Sequence, residues 1–343
     1  MDENRSPLIT AENISRTFRS AKKESGFRGT VKLLFRPQYQ VAEALKKINF
    51  SIMPGSFVGL IGANGAGKTT LLKILSGLIP PTTGQARVLG FEPFSRTKEF
   101  RKQIALVMGQ KAQLWWDLPA LDAFDLIRAI YEIPSSIYKK RLDLLTDLLD
   151  VQAHLGTQIR RLSLGERMKM EIIGALLHWP KVVFLDEPTI GLDVLAAHKL
   201  RKFLLEFNRI EKATIILTSH NMEDIERLCP RILILRSGEL IYDGPPARLT
   251  EKGVRRLRVR LIETPTITEL SQASGVAVDD IRKGDGEEIG REHSESDAFY
   301  FSVKHEEVVR VLESLLKRFR IVDMGLEEES LERVIHRIYE GKI

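Results

Sequence analysis

Chemistry in this chain concentrates in one glycine-rich segment, Gly62, Ala63, Asn64, Gly65, Ala66, Gly67, Lys68, Thr69 and Thr70. It satisfies G-x-x-x-x-G-K-[ST], with the apolar run Phe57 to Ile61 before it and a helical pattern over Thr70 to Leu78 after it. Glycines let such a loop curl so that successive backbone N–H groups face an anion, and the following helix offers its positive end to the same charge. Phosphates are therefore the expected ligand. Lys68 is expected on the β- and γ-phosphates of a nucleotide, and the Thr69 hydroxyl on Mg²⁺.

Two acids follow at a second place. Val182-Val183-Phe184-Leu185-Asp186-Glu187 is an apolar strand ending in paired carboxylates. Strand ends often carry solvated acids. Here the phosphate loop upstream puts both at the carboxyl edge of what should be the same sheet, where ligands of open α/β sheets bind. Asp186 is expected to hold the metal, and Glu187 to orient and polarise an attacking water as general base.

Further segments at other positions complete a pattern. Leu162-Ser163-Leu164-Gly165-Glu166 stands just ahead of a helical run, Gln110 follows the strand-like Ile104 to Met108, and Thr218-Ser219-His220 follows Thr214 to Leu217. With Gly191-Leu192-Asp193, these segments resemble the ATP-binding cassette (ABC) family over roughly residues 8–244. The resemblance implies an ATPase using ATP and Mg²⁺. It implies that Gln110 is the Q-loop glutamine, on Mg²⁺ and near a transport partner, and that His220 is the switch histidine on the γ-phosphate. Residues 191–193 match the D-loop. Phe18 matches the aromatic that stacks on adenine, with Tyr39 a competing candidate. Residues 162–166 resemble the signature, usually Leu-Ser-Gly-Gly-Gln, with Leu164 and Glu166 departing from it. In this family each ATP lies between the phosphate loop of one subunit and the signature of another, so Ser163, Gly165 and Glu166 are expected against a partner's nucleotide. One copy of each motif per chain implies a dimer, and a homodimer is expected.

These groups need a frame. Apolar, β-branched runs recur at Leu8 to Ile14, Ile48 to Met53, Phe57 to Ile61, Val182 to Leu185 and Thr214 to Thr218, separated by helix-length segments. The expected fold class is α/β: a P-loop ATP-binding cassette with a mixed sheet core, a helical insert and a small C-terminal α+β domain. The cassette is expected over 1–250, with its helical subdomain at about 111–165, where Leu121, Phe124, Ile127, Ile130 and then Leu142, Leu145, Leu148, Leu149 form helical stripes. Ser237-Gly238 reads as a hairpin turn, and Asp243-Gly244-Pro245-Pro246 as the boundary. An accessory domain is expected over 251–343, with strands at Val254 to Leu261 and Ala298 to Val303, a helix at His305 to Arg318 and a long exposed loop at Asp279 to Ser296. Ser20 to Val41 reads as an irregular basic insertion.

Composition restricts the function classes. Of 343 residues 43% are apolar, enough for a sizeable core. No apolar run approaches the roughly 20 residues of a membrane-spanning helix, and residues 1–5 lack the basic and apolar regions of a secretory signal. The single cysteine, Cys229, excludes an intramolecular disulfide framework and reads as a packed thiol. The net charge of +6 is scattered, and no nucleic-acid partner is expected.

The altered signature, the early insertion and the C-terminal extension together resemble ATPases of ABC-2-type exporters, near the sodium-exporter and viologen-exporter groups. That resemblance implies one or more separate polytopic membrane subunits, docked where Gln110 and the helical insert meet the sheet; Trp115-Trp116 sits at that place, as exposed interface anchors or as buried core residues. It also implies a cytoplasmic location, peripheral on the inner face of the cell membrane. The alternative is a soluble nucleotide-binding regulator with little or no hydrolysis. An ABC protein acting on ribosomes or DNA would be expected to carry two cassettes or a long heptad insert, and neither is visible here.

Overall fold

The computed structural model describes residues 6–21, 39–109, 112–249, 254–284, 298–328 and 331–339. The chain forms two compact units, residues 1–245 and 246–343.

In the first unit the described strands are β1 (Ile9–Ala21), β2 (Tyr39–Ile52), β3 (Phe57–Gly62), β4 (Thr83–Val88), β5 (Ile104–Met108), β6 (Val182–Asp186), β7 (Thr214–Thr218), β8 (Arg231–Arg236) and β9 (Glu239–Gly244). The helices are α1 (Lys68–Leu75), α2 (Lys98–Arg101), α3 (Ala120–Ile130), α4 (Ser135–Leu149), α5 (Leu164–Leu176), α6 (Val194–Glu211) and α7 (Met222–Leu228). Two sheets result. A six-stranded sheet runs β5-β6-β7-β3-β8-β9, parallel except for β9, and a three-stranded antiparallel sheet runs β2-β1-β4. Continuous apolar strands such as β6, whose Val182 to Leu185 are all fully buried, suit a parallel sheet covered on both faces.

Helix α1 lies at the join of the two sheets. Its Leu71, Leu72, Ile74 and Leu75 share one core with Ile9, Ile14 and Leu45 of the antiparallel sheet and with Val58, Leu60 and Phe184 of the parallel one. The helix that follows the phosphate loop is thus held by burial at about 25 cal/mol per Å² of apolar surface, not by its own short length. Strand order does the rest. Because β6, β7 and β3 are neighbours, the carboxyl ends bearing Asp186, Thr218 and Gly62 stand side by side.

Several elements depart from the sequence reading. The segment read as an irregular insertion begins and ends in paired strand, with Ser20 opposite Gln40 and Ala21 opposite Tyr39, while residues 22–38 lie outside the described residues. Strand β4 was not expected. It is a sheet edge in which only Ala86 and Val88 are buried, so its sequence lacks an apolar signature. Helix α1 starts at Lys68 and ends at Leu75. At the expected hairpin, Ser237 and Gly238 both have positive φ, 49° and 83°, as a type I′ turn requires. The helical insert consists of α3 and α4 with the start of α5. Gly174 permits a close approach there, since a Cβ on it would lie 3.0 Å from both Ile127 and Leu114.

The second unit follows β10 (Val254–Leu261), α8 (Ile267–Ser274), β11 (Ile281–Lys283), β12 (Ala298–Lys304), α9 (Val308–Leu316), β13 (Ile321–Glu328) and α10 (Leu331–Tyr339). Its antiparallel sheet has the order β11-β12-β10-β13. A βαββαβ path with that order is the ferredoxin-like arrangement. Leu257, Val259, Phe299, Phe301 and Val303 of the sheet pack with Leu270 of α8 and with Val311 and Leu315 of α9. Strand β11 falls within the stretch read as a loop. It is three residues long with two exposed, and pairing with β12 supplies what periodicity cannot show.

Among the described residues no helix is long and apolar enough to cross a membrane. Cys229 is buried, and burial raises the pKa of its thiol far above the ordinary value.

Candidate phosphate and hydrolysis site

The phosphate loop leaves β3 and enters α1 through two glycines with positive φ, Gly65 at 81° and Gly67 at 109°. They serve different needs. A Cβ on Gly67 would lie 2.6 Å from the carbonyl oxygen of Ala44, so glycine is required by close packing, whereas a Cβ on Gly65 would meet nothing within 4 Å. Gly65 therefore answers to conformation and leaves the loop open on that side. Lys68 is 6% exposed, and its Nζ donates to the carbonyl oxygens of Gly62 (2.5 Å) and Ala63 (3.2 Å). Burial lowers the pKa of this ammonium from the ordinary value, and the charges of Glu187 and Asp186 oppose that shift.

Hydrogen bonds join the start of α1 to the ends of two neighbouring strands, β6 and β7. Thr69 Oγ1 donates to Asp186 Oδ2 at 2.9 Å, and Thr218 Oγ1 donates to Asp186 Oδ1 at 2.6 Å. The Glu187 amide in turn donates to both Oγ1 (3.0 Å) and O (3.1 Å) of Thr218. Asp186 is thus held from both sides. Glu187 takes a positive φ of 55°, uncommon for a residue with a side chain. Gly109 accommodates this backbone, because a Cβ there would lie 2.2 Å from the Glu187 carbonyl oxygen. The Glu187 side chain then meets the segment after β7: His220 Nε2 lies 2.7 Å from Glu187 Oε1, a distance at which an imidazole N–H donates to a carboxylate.

The donor set suits ATP with Mg²⁺. Thr69 and Asp186 offer two hard oxygens in contact, beside a loop that is open at Gly65. Mg²⁺ characteristically takes one or two protein oxygens and completes its shell with water and phosphate.

The signature segment caps α5. Ser163 is its N-cap, and with Glu166 it forms a reciprocal capping box. Ser163 N and Oγ both donate to Glu166 Oε2 (2.9 and 2.8 Å), and the Glu166 amide donates back to Ser163 Oγ at 3.3 Å. His154 Nε2 lies 3.1 Å from Glu166 Oε1. The Ser163 hydroxyl and amide, together with the charges of His154 and Lys169, hold the Glu166 carboxyl below its ordinary pKa. Leu164 reaches Gly191, where a Cβ would lie 2.6 Å from its Cδ2, and Gly165 faces Ala196 and Leu192. The expected D-loop and the signature thus touch within one chain.

Of the other expected residues, Phe18 on β1 is 38% exposed with the Arg16 guanidinium 4.7 Å over its ring. The side chain of Tyr39 and all of Gln110 lie outside the described residues. Thr70 follows in the first turn of α1. Trp115 and Trp116 are each 48% exposed, so they do not belong to the core.

Three groups were not singled out from sequence. Thr218 bridges Asp186 to Glu187, and a hydroxyl at the end of a fully buried strand was the available signal. Fully buried Asp224 accepts from Thr189 Oγ1 (2.5 Å), Ser219 Oγ (2.6 Å) and Arg201 Nε (2.8 Å), tying the segment after Glu187 to the residue before His220. Glu171 of α5, also buried, accepts from the amides of Gln113 (3.0 Å) and Leu114 (3.2 Å) just beyond Gln110. Burial raises the pKa of its carboxyl. Neither acid has a sequence signal, because each is defined by what packs around it.

A phosphate loop at the carboxyl edge of a mixed sheet, with paired acids at the end of the next strand but one, defines a nucleotide-binding α/β protein. The profile of the ABC transporter family matches residues 45–190. The chain is 31% identical over 217 residues to the ABC transporter ATP-binding protein NatA of Bacillus subtilis, covering 63% of this chain and 88% of that one. Among solved structures it is similar to an ATP-binding subunit of an ABC transporter, with a TM-score of 0.60 and 26% identity over 71% of this chain and 92% of that one. It shares its fold with a dimeric ATP-binding cassette in a post-hydrolysis state bound to ADP and Pi, at a TM-score of 0.58 and 23% identity over 69% and 98% of the two chains. This chain belongs to the ATP-binding subunits of the ABC transporter family.

Proposed function

We propose that this chain binds ATP with Mg²⁺ at residues 62–70, hydrolyses it as a homodimer, and so powers export through a separate polytopic membrane subunit of the ABC-2 type. The observation that carries the reading is the Glu187–His220 contact beside the Thr69–Asp186 pair. Glu187 is the base that takes a proton from water, and His220 fixes the orientation of its carboxylate. Lys68 has its ammonium drawn inward by two carbonyls and binds terminal phosphate oxygens. Asp186 and Thr69 hold Mg²⁺, which supplies charge neutralisation on the phosphates when bound. Ser163 and Gly165 act on the nucleotide of the partner copy. The ABC-2 reading rests on the altered signature and on the accessory unit, and the exposed Trp115 and Trp116, five and six residues after Gln110 in the sequence, suit a docking surface for the membrane subunit.

Steady-state hydrolysis by the chain and by Glu187→Gln, with gel filtration of each under ATP and Mg²⁺, tests this. The variant should lose roughly 10²-fold or more in turnover and persist as an ATP-dependent dimer. Turnover equal to the parent would remove Glu187 from the mechanism, and a variant that binds ATP yet stays monomeric would remove the sandwich. Stimulation by a co-expressed membrane subunit tests the coupling. A second reading, a nucleotide-binding regulator with little turnover, draws on the engagement of Ser163 by Glu166. Turnover by the parent chain, alone or with its membrane subunit, discards it.

A further inference from the structure

Serine has one hydroxyl proton, and in this chain Ser163 gives it to a carboxylate. The Oγ to Oε2 distance is 2.8 Å, the same oxygen also takes the Ser163 amide, and His154 occupies the second oxygen at 3.1 Å. All four atoms of the capping box are therefore satisfied before any phosphate arrives. A charged acceptor makes a stronger hydrogen bond than a neutral amide would. For Ser163 to donate to a terminal phosphate, that proton must leave one anion for another, and the two anions must then share a small space. Like charges at such range repel, most of all where closure excludes water.

We propose that Glu166 is a latch on the signature serine: by holding the Ser163 proton it opposes nucleotide-driven closure of the dimer and sets the ATP concentration at which closure occurs. This rests on the sandwich reading above, and it assigns to Glu166 a positioning role through Ser163. Glutamine at this place would keep the capping box, since Ser-x-x-Gln closes it equally, while bringing no negative charge and adding an amide N–H donor. The fold of α5 therefore tolerates the exchange, and only the charge that strengthens the latch is removed.

The test compares Glu187→Gln with Glu166→Gln/Glu187→Gln, following dimerisation by sedimentation over a titration of ATP with Mg²⁺, with thermal melting of each. The double variant should dimerise at roughly tenfold lower ATP, with unchanged melting. Adding Ser163→Ala should abolish that gain. On the hydrolysis-competent background, Glu166→Gln should lower KM for ATP in the same sense. A gain of affinity cannot come from a damaged helix cap, so a purely structural role for Glu166 predicts the opposite sign. If the single variant dimerises normally and Glu166→Gln leaves the midpoint unchanged or raises it, the latch is wrong while the sandwich stands. The latch is equally wrong if the gain survives loss of the Ser163 hydroxyl. If neither variant dimerises at saturating ATP, the sandwich fails and the latch fails with it.

Discussion

Thr218 shows how much of this site depends on a side chain that performs no chemistry. Its hydroxyl donates to Asp186 and accepts from the Glu187 amide, so the acid expected on the metal and the expected base share one partner. Thr218→Val keeps the shape and removes the bridge, leaving a part-buried carboxylate oxygen of Asp186 short of a partner while the Glu187 amide keeps its bond to the Thr218 carbonyl. The cost should be about 1–3 kcal/mol of stability, with turnover reduced at least tenfold, and Thr218→Ser should restore both. Denaturant unfolding alongside an ATPase assay checks this, and a valine variant with parental turnover would contradict it. At this scale the sequence reveals groups that belong to patterns. Lys68, Asp186, Glu187 and His220 stand at motif positions and could be found there, whereas Thr218, Gly109 and Asp224 gain their roles only from neighbours distant in sequence. Glu166 is intermediate: its departure from the signature is visible in the chain, but its hold on Ser163 is visible only in the folded helix cap.

Elements were legible where burial imposes a period and obscure where pairing alone defines them. Strands β3, β6 and β7 are buried along nearly their whole length because both faces are covered, and the apolar run in each was readable. Strands β4 and β11 are edges with exposed side chains, and the ladders that define them lie outside any local pattern. The turn after α5 carries an element-scale prediction. His178 follows that helix, its ring stacked 4.0 Å from Tyr131 and its Nε2 2.9 Å from the Ile104 carbonyl oxygen of β5. Its Nδ1 is buried without a hydrogen-bond partner among the described residues. Burial pushes this imidazole from its ordinary 6.5 down to about 4, with the nearby Arg141 acting in the same direction. Above pH 6.5 the ring is neutral folded and unfolded, and it contributes no pH dependence. As pH falls from 6.5 towards 4 the unfolded chain takes up a proton that the folded chain refuses, so stability should fall, by up to about 3 kcal/mol. Denaturant unfolding between pH 7 and pH 4 should show this slope, and His178→Gln should flatten it. An equal slope in both proteins would assign the acid sensitivity elsewhere.

The whole chain divides at a place its composition marks, since Pro245 and Pro246 interrupt regular structure where the two units part. What composition does not show is that the second unit closes a topology of its own. Its two strand-like runs and one helix were readable. The ferredoxin-like order appears only once β11 and β13 are paired, because register between distant strands is set by the core they share. That core makes independence testable. Residues 246–343 enclose fully buried Phe301, with Leu270, Val311 and Leu315 from the two helices packed in the same cluster. Units of this size commonly fold alone, so a fragment of residues 246–343 should melt in one cooperative transition. Phe301→Ala removes a fully buried ring from that cluster and should cost the fragment about 3–5 kcal/mol, a large share of the ~5–15 kcal/mol that such units possess. Nucleotide affinity of the intact chain separates two arrangements. Every group placed at the phosphate site belongs to residues 1–245, so in intact Phe301→Ala the affinity for ATP should match the parent even as the second unit melts early. Loss of ATP binding in that variant would mean that the cassette depends on its accessory unit for its own fold, and the two would have to be treated as one cooperative body.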